Sequence, residues 1–139
     1  MLSAREKEEI QESIRLAELK TSGEIRVHID KKCDSDPIER AVDVFNKLKM
    51  FETKQRNGVL IYLAFSNRKL AIIGDKGINE VVPDDFWEST KNEMIFRFQR
   101  NEFAQGIIDA VTEAGKHLQA YFPVEFDDKN ELNNEITEG

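Results

Sequence analysis

The stretch Arg56–Gly77, RNGVLIYLAFSNRKLAIIGDKG, decides the fold. Its seven residues from Val59 to Phe65 are apolar without a break. A run with no polar face has to be buried on both sides, so it reads as a central strand. Ser66, Asn67 and Arg68 follow as a turn, with Asn67 expected to take the left-handed backbone that a tight reversal needs. Lys69–Ile73 then returns antiparallel to the first strand. The hairpin closes on Gly74-Asp75-Lys76-Gly77, where two glycines are expected to let the chain turn sharply beside a carboxylate.

Upstream, Glu24 to Asp30 alternates strictly: Ile25, Val27 and Ile29 face one way, and Glu24, Arg26, His28 and Asp30 the other. That pattern predicts a half-exposed strand near an edge of the sheet. Between it and the hairpin, Asp36-Pro37-Ile38-Glu39 is a capping box with proline at the first helical position. Ile38, Val42, Phe45 and Leu48 then recur at helical spacing to about Met50. Strand, helix, strand makes a right-handed βαβ unit, so 24–30 and 59–65 should run parallel.

Two flanks complete the chain. Ser3-Ala4-Arg5-Glu6 is a second capping box, opening a helix to about Leu19 with Ile10, Ile14 and Ala17 as its apolar stripe. After the hairpin, Asn79–Val82 reads as a helical turn. Pro83-Asp84-Asp85 opens a helix carrying Phe86, Trp87, Met94, Ile95 and Phe98, broken at Arg100-Asn101. A last helix spans about Glu102–Tyr121 with Phe103, Ile107, Val111, Ala114 and Leu118 on one face. Gly106 and Gly115 are costly inside it, and close packing on a sheet would account for them. Helices should therefore cover both faces of a small mixed sheet, giving an α/β fold built as a three-layer α/β/α sandwich. Residues 1–126 form one domain. Residues 127–139 carry five acids and one lysine, have little to bury, and are expected to be a disordered tail.

The 139 residues are long enough for a real core, and 40% hydrophobic with 34% charged residues describes an ordinary globular chain. A net charge of −7 without a Lys/Arg cluster argues against nucleic-acid binding. No apolar stretch approaches the roughly 20 residues of a membrane span. The opening MLSAREKEEI lacks the apolar core of a signal peptide, and the single cysteine, Cys33, agrees with a reducing compartment. The expectation is a cytoplasmic monomer. Cys33 reads as an exposed loop thiol, His28 as a surface strand residue and His117 as a surface helix residue. No P-loop, GxSxG, HExxH or complete dinucleotide fingerprint is present.

Topology places the candidate site. Parallel strands 24–30 and 59–65 begin at one end of the sheet, and the antiparallel strand 69–73 finishes there. Glu24, Asn57, Gly58 and Asp75 should then be neighbours, with the chain leaving Asp75 soon reaching Asp84 and Asp85. Oxygen ligands with flexible backbone between them suit a hard cation, Ca²⁺ or Mg²⁺. The structural alternatives are that Asp36, Asp84 and Asp85 only cap helices, that Asp75 only supports its turn, and that Glu24 is only solvated. The opposite end, with Asp30, Asp34, Asp36 and the Ser66-Asn67-Arg68 turn, is a second candidate.

Thr21-Ser22-Gly23-Glu24-Ile25, Asn57-Gly58-Val59-Leu60-Ile61, Arg68, Gly74-Asp75-Lys76-Gly77-Ile78, Pro83-Asp84 and Phe103-x-x-Gly106-Ile107, in that order and spacing, resemble the TPM domain family over about residues 3–123. That family includes thylakoid-lumen proteins linked to photosystem II repair and many bacterial proteins. The resemblance implies an α/β/α sandwich and divalent-cation binding, often calcium, at positions matching Glu24, Asn57, Gly58, Asp75 and Asp84. It also implies an acid phosphatase activity associated with a plant member. Many members have an acidic residue before the Asn-Gly pair. Arg56 stands there in this chain, a departure that would weaken a cation site and favour phosphate.

The leading expectation is a divalent-cation-binding domain, calcium first and Mg²⁺ second, with metal ligands Glu24, Asn57, Gly58, Asp75, Asp84 and Asp85. The alternatives are a metal-dependent acid phosphatase-like hydrolase, with Arg56 or Arg68 holding phosphate, and a metal-free protein-interaction domain with a protein partner.

Overall fold

The computed structural model describes residues 2–124 and 136–138. In chain order it runs α1 (Ala4–Glu18), β1 (Glu24–Asp30), α2 (Pro37–Lys47), β2 (Gly58–Ala64), β3 (Lys69–Gly74), α3 (Lys76–Asn79), α4 (Glu88–Gln99), α5 (Phe103–Tyr121) and β4 (Thr137–Glu138). The sheet order is β3-β2-β1-β4. β1 and β2 are parallel from Glu24↔Gly58 to Asp30↔Ala64, and β2 and β3 pair antiparallel from Val59↔Gly74 to Ala64↔Lys69. The βαβ unit and the hairpin are therefore those the sequence predicts.

Period two on the strands splits the core into two. Ile25, Val27, Ile29, Val59, Ile61 and Leu63 face α1, α4 and α5 and make the larger cluster with Ile10, Ile14, Met94, Phe98, Ile107 and Leu118. Leu60, Tyr62, Ala64 and Ala71 face α2 and close on Ala41, Val44, Phe45 and Met50. The mixed sheet between helices on both faces is the expected α/β architecture.

Several local expectations are corrected. β1 is not half-exposed: all seven residues are buried, and β4 pairs with its outer side in parallel register at His28↔Thr137 and Ile29↔Glu138. Of the acidic tail, 127–135 and 139 lie outside the described residues. Thr137 and Glu138 are strand residues, held through main-chain pairing that needs no apolar side chain. On α2 the buried positions are Ala41, Val44 and Phe45, while Ile38 and Val42 are exposed. The small Ala41 lets the helix approach β2 and β3, which turns the larger residues outward. α4 starts at Glu88, after a turn through Asp84 and Asp85, and Ile95 on it is exposed.

The glycine readings also change. Among the described residues no glycine has positive φ; the left-handed residues there are Lys49, Arg56, Arg68 and Asn101. In the hairpin turn it is thus Arg68, at φ 51°, and not Asn67, that takes the left-handed conformation. Gly106 and Gly115 pack on helices and not on the sheet. A Cβ at Gly106 would lie 2.8 Å from the Phe98 ring of α4, and one at Gly115 would lie 2.8 Å from the Ala17 Cβ of α1.

Candidate functional site

The loops at the start of β1 and β2 and the end of β3 meet as the topology requires. The Glu24 N–H donates to the Asn57 carbonyl at 3.3 Å, and the Asp75 N–H donates to the Gly58 carbonyl at 2.9 Å. Glu24, Asn57, Gly58 and Asp75 are neighbours through their backbones. Gly77 is needed here for space: a Cβ on it would sit 2.1 Å from the Gln55 carbonyl oxygen and 2.7 Å from that of Arg56. Its N–H donates to the Arg56 carbonyl at 2.8 Å, which ties the 55–58 segment to the start of α3.

Asp75 is the chemical centre of this end. It is only 6% exposed. Its Oδ1 accepts the Lys76 N–H at 2.7 Å and so caps α3. Arg56 grips the same carboxylate with both arms of its guanidinium, Nε to Oδ2 at 2.7 Å and Nη2 to Oδ1 at 2.9 Å. The arginine side chain is itself 43% exposed. That hydrogen bond raises the Arg56 guanidinium above its ordinary pKa. Arg56 and Asp75 line an open cleft that also takes in Asn46, Phe51, Lys76 and Asn79. Asn57 is buried behind them, donating from Nδ2 to the Ser22 hydroxyl at 3.2 Å.

The remaining predicted ligands are placed differently. Glu24 is buried, not solvated, and its carboxyl lies beside that of Glu18 at the end of α1. Glu18 in turn accepts the Ile25 N–H at 2.8 Å. Burial, with the Glu24 carboxyl beside it, pushes the Glu18 carboxyl up to about 9. Asp84 and Asp85 are exposed in the turn ahead of α4 and share no hydrogen bond or ion pair with Asp75. Among the described residues, no three His, Cys, Asp or Glu side chains converge closely enough to hold a metal ion.

The opposite end of the sheet holds a second buried carboxylate. Asp30, 5% exposed, accepts from Arg40 Nε at 2.8 Å and Nη2 at 3.2 Å, from the Tyr62 hydroxyl at 2.5 Å and from His28 Nε2 at 2.9 Å. Burial alone would raise its pKa. The hydrogen bonds from Arg40, Tyr62 and His28 outweigh burial and hold the carboxyl well below its usual range. Burial raises Tyr62, helped by its bond to Asp30, and lowers His28. His28 is thus no surface residue; its Nδ1 also meets the Thr137 hydroxyl of β4 at 2.7 Å. Cys33 is buried too, its thiol donating to the Ser35 carbonyl at 3.3 Å. Asp36 caps α2, as the cap reading has it, and Asp34 is exposed beside Lys32. His117 is half-buried against Phe86 and Trp87.

Reading the sequence misses Glu18, Arg40 and Tyr62 as members of these networks. Tyr62 carried the one available signal: a hydroxyl inside an otherwise aliphatic strand must find a partner, and the parallel neighbour supplies it.

Among the described residues no helix is long and apolar enough to cross a membrane. No curated protein matches the chain. Among solved structures it is similar to the BA42 protein of the psychrophilic bacterium Bizionia argentinensis, at 49% identity and TM-score 0.93, over 100% of this chain and 96% of that one. Two more distant likenesses show the fold alone. One is the N-terminal domain of a P. gingivalis protein, at 19% identity and TM-score 0.70, over 87% of this chain and 78% of that one. The other is the N-terminal domain of the cg2496 protein of Corynebacterium glutamicum, at 15% identity and TM-score 0.68, over 94% and 85%. The family model of the TPM domain matches residues 1–117, and the chain belongs to the TPM domain family.

Proposed function

We propose that the chain is a divalent-cation-binding TPM domain, with Ca²⁺ as the ion and the Asp75 cleft as its site. The observation that carries this reading is the state of Asp75: a buried carboxylate at the back of an open cleft, neutralised by a half-exposed guanidinium. A cation arriving there meets a ready negative charge and displaces only a side chain that solvent already reaches. The donors lining the cleft are oxygens, the Asp75 carboxylate with the side-chain amides of Asn46 and Asn79, and such a set suits a hard ion. Arg56 and Lys76 in the same lining oppose the ion and make the site weaker than a cage of several carboxylates. Asp75 is the expected ligand, with Glu24 committed to Glu18 and Asp84 and Asp85 standing apart.

The hydrolase alternative gains nothing comparable. The ionisable groups of the cleft are Arg56, Asp75 and Lys76, and Asp75 is already engaged by both arms of Arg56.

The test is an amide NMR titration of the wild type and of Arg56→Gln with Ca²⁺ and with Mg²⁺. The wild type should show saturable shifts at 56–58 and 74–79. Arg56→Gln should bind roughly three- to tenfold more tightly, as expected when one competing charge leaves an exposed site. A spectrum unchanged at tens of millimolar Ca²⁺ overturns the reading, as do shifts of equal size in Asp75→Asn.

A further inference from the structure

The carboxyl ends of parallel strands in an open α/β sheet are where ligands bind. In this chain that end opens, on the α1 and α5 side of the sheet, into a cleft of about 410 Å³, large enough for a one- or two-ring molecule. Its apolar walls are Leu2, Ile29, Phe65 and Phe103. The two phenylalanine rings meet edge to face, 5.0 Å apart, and both are only partly buried. Two aromatic rings on an otherwise well-packed domain thus face an open space.

The charges around it have one sign left over. Lys7 is engaged by Glu138 at 2.7 Å. The carboxylate of Asp30, which also borders the cleft, is held by Arg40, Tyr62 and His28. Lys31 and Arg68 remain, both exposed, and neither pairs with a carboxylate among the described residues. Arg68 Nη2 reaches only the amide oxygen of Asn101 at 3.4 Å. Arg68 also sits at φ 51°, a left-handed conformation that glycine or asparagine would adopt more cheaply. On a protein of net charge −7, two cations over an aromatic floor with no carboxylate partner among the described residues are a local exception.

We propose that this cleft binds a small organic carboxylate with a flat apolar body, the ring lying against Phe65 and Phe103 and the carboxylate taken by Arg68 and Lys31. A guanidinium matches a carboxylate with two parallel N–H donors, and the ammonium of Lys31 adds a point charge. This site lies at the opposite end of the sheet from Asp75, so it stands or falls independently of cation binding there.

The experiment is an amide NMR titration of the full chain with 1-naphthoate. The controls are 1-naphthalenemethanol, which keeps the ring and lacks the charge, and acetate, which keeps the charge and lacks the ring. Naphthoate should give saturable shifts clustered at Leu2, Lys31, Ser66, Arg68 and Phe103, with both controls at least roughly tenfold weaker. Arg68→Gln and Lys31→Gln alter exposed side chains and should each weaken naphthoate roughly three- to fivefold, the size of a solvent-exposed charge contact, while the rest of the spectrum is kept. Equal binding of the neutral alcohol overturns the proposal. So do shifts that scatter away from this cleft, or affinities unchanged in both variants.

Discussion

Asp75 and Asp30 are buried to the same degree at opposite ends of one sheet, and each meets an arginine through two nitrogens. The difference lies in what else holds them. Asp30 has Tyr62 and His28 in addition to Arg40, whose side chain is 27% exposed against 43% for Arg56. Asp75 has one backbone N–H and Arg56. A carboxylate whose lone pairs are all taken by side chains fixed in the core is part of the scaffold. One whose counter-charge stands half in water is available for exchange. Burial of a carboxylate alone would not separate the two; the exposure of its partner does.

The largest effect that would break this contrast is at Asp30. Asp30→Ala leaves Arg40, Tyr62 and His28 around an empty place, and a loss of about 3–5 kcal/mol is expected in urea unfolding, as for a buried ion pair stripped of one partner. A loss below about 1 kcal/mol would put Asp30 in the same exchangeable class as Asp75.

Next comes the ion. If Asp75 is exchangeable, Ca²⁺ at a hundredfold excess over its dissociation constant should stabilise the fold by roughly 2.7 kcal/mol. Thermal melts of Asp75→Asn with and without Ca²⁺ should then coincide. A full Ca²⁺-induced rise in that variant would move the ion elsewhere.

The two ends should also titrate on opposite sides of neutrality. Asp30 and His28 have lowered pKa values in the fold, so the stability they confer is present above their unfolded values and lost as pH falls. Glu18, beside Glu24 at the other end, is raised from 4.5 to about 9. Its contribution is complete below 4.5 and is lost as pH climbs towards 9. Glu18→Gln keeps an oxygen for the Ile25 N–H and removes the titration, so it should gain about 1 kcal/mol or more at pH 8 and nothing at pH 4. Urea midpoints at the two pH values decide it. A variant less stable at pH 8 would show that the ionised pair is favourable.

The smallest effect is Asp75→Asn without ions. Asparagine is as good a helix cap as aspartate, so chemical denaturation should register a change within about 1 kcal/mol. A loss as large as that of Asp30→Ala would erase the contrast between the ends.

Much of this was legible before the structure. The unbroken run Val59–Phe65, the Asp36-Pro37 start and the Ser3 capping box are local signals, and local signals set the strand pairing and the two-sided helix layers. The stripe of Ile10, Ile14 and Ala17 is buried as read. The alternation in 24–30 misled because a polar face usually marks solvent. Here Glu24 is covered by Glu18, His28 by Thr137 and Asp30 by Arg40, partners on neighbouring elements that no periodicity within the strand reveals. The site was legible in the backbone, where topology alone brings Glu24, Asn57, Gly58 and Asp75 together. The direction of each carboxylate was not, since it depends on Glu18, which does not read as part of the site, and on Arg56, which reads as a phosphate holder and not as the partner of Asp75.

The two-residue strand Thr137–Glu138 has a consequence for behaviour at high concentration. Without it, the Val27–Ile29 segment would present unpaired backbone donors and acceptors along an apolar strand, a template for pairing with another molecule. Its side chains meet His28 through the Thr137 hydroxyl, which also donates to the Val27 carbonyl, and Lys7 through Glu138, while the adjoining Ile136 packs on the core. The colloidal behaviour of the protein is therefore governed at residues 137 and 138. High salt, which screens the Lys7–Glu138 pair, should promote self-association well before the domain itself unfolds.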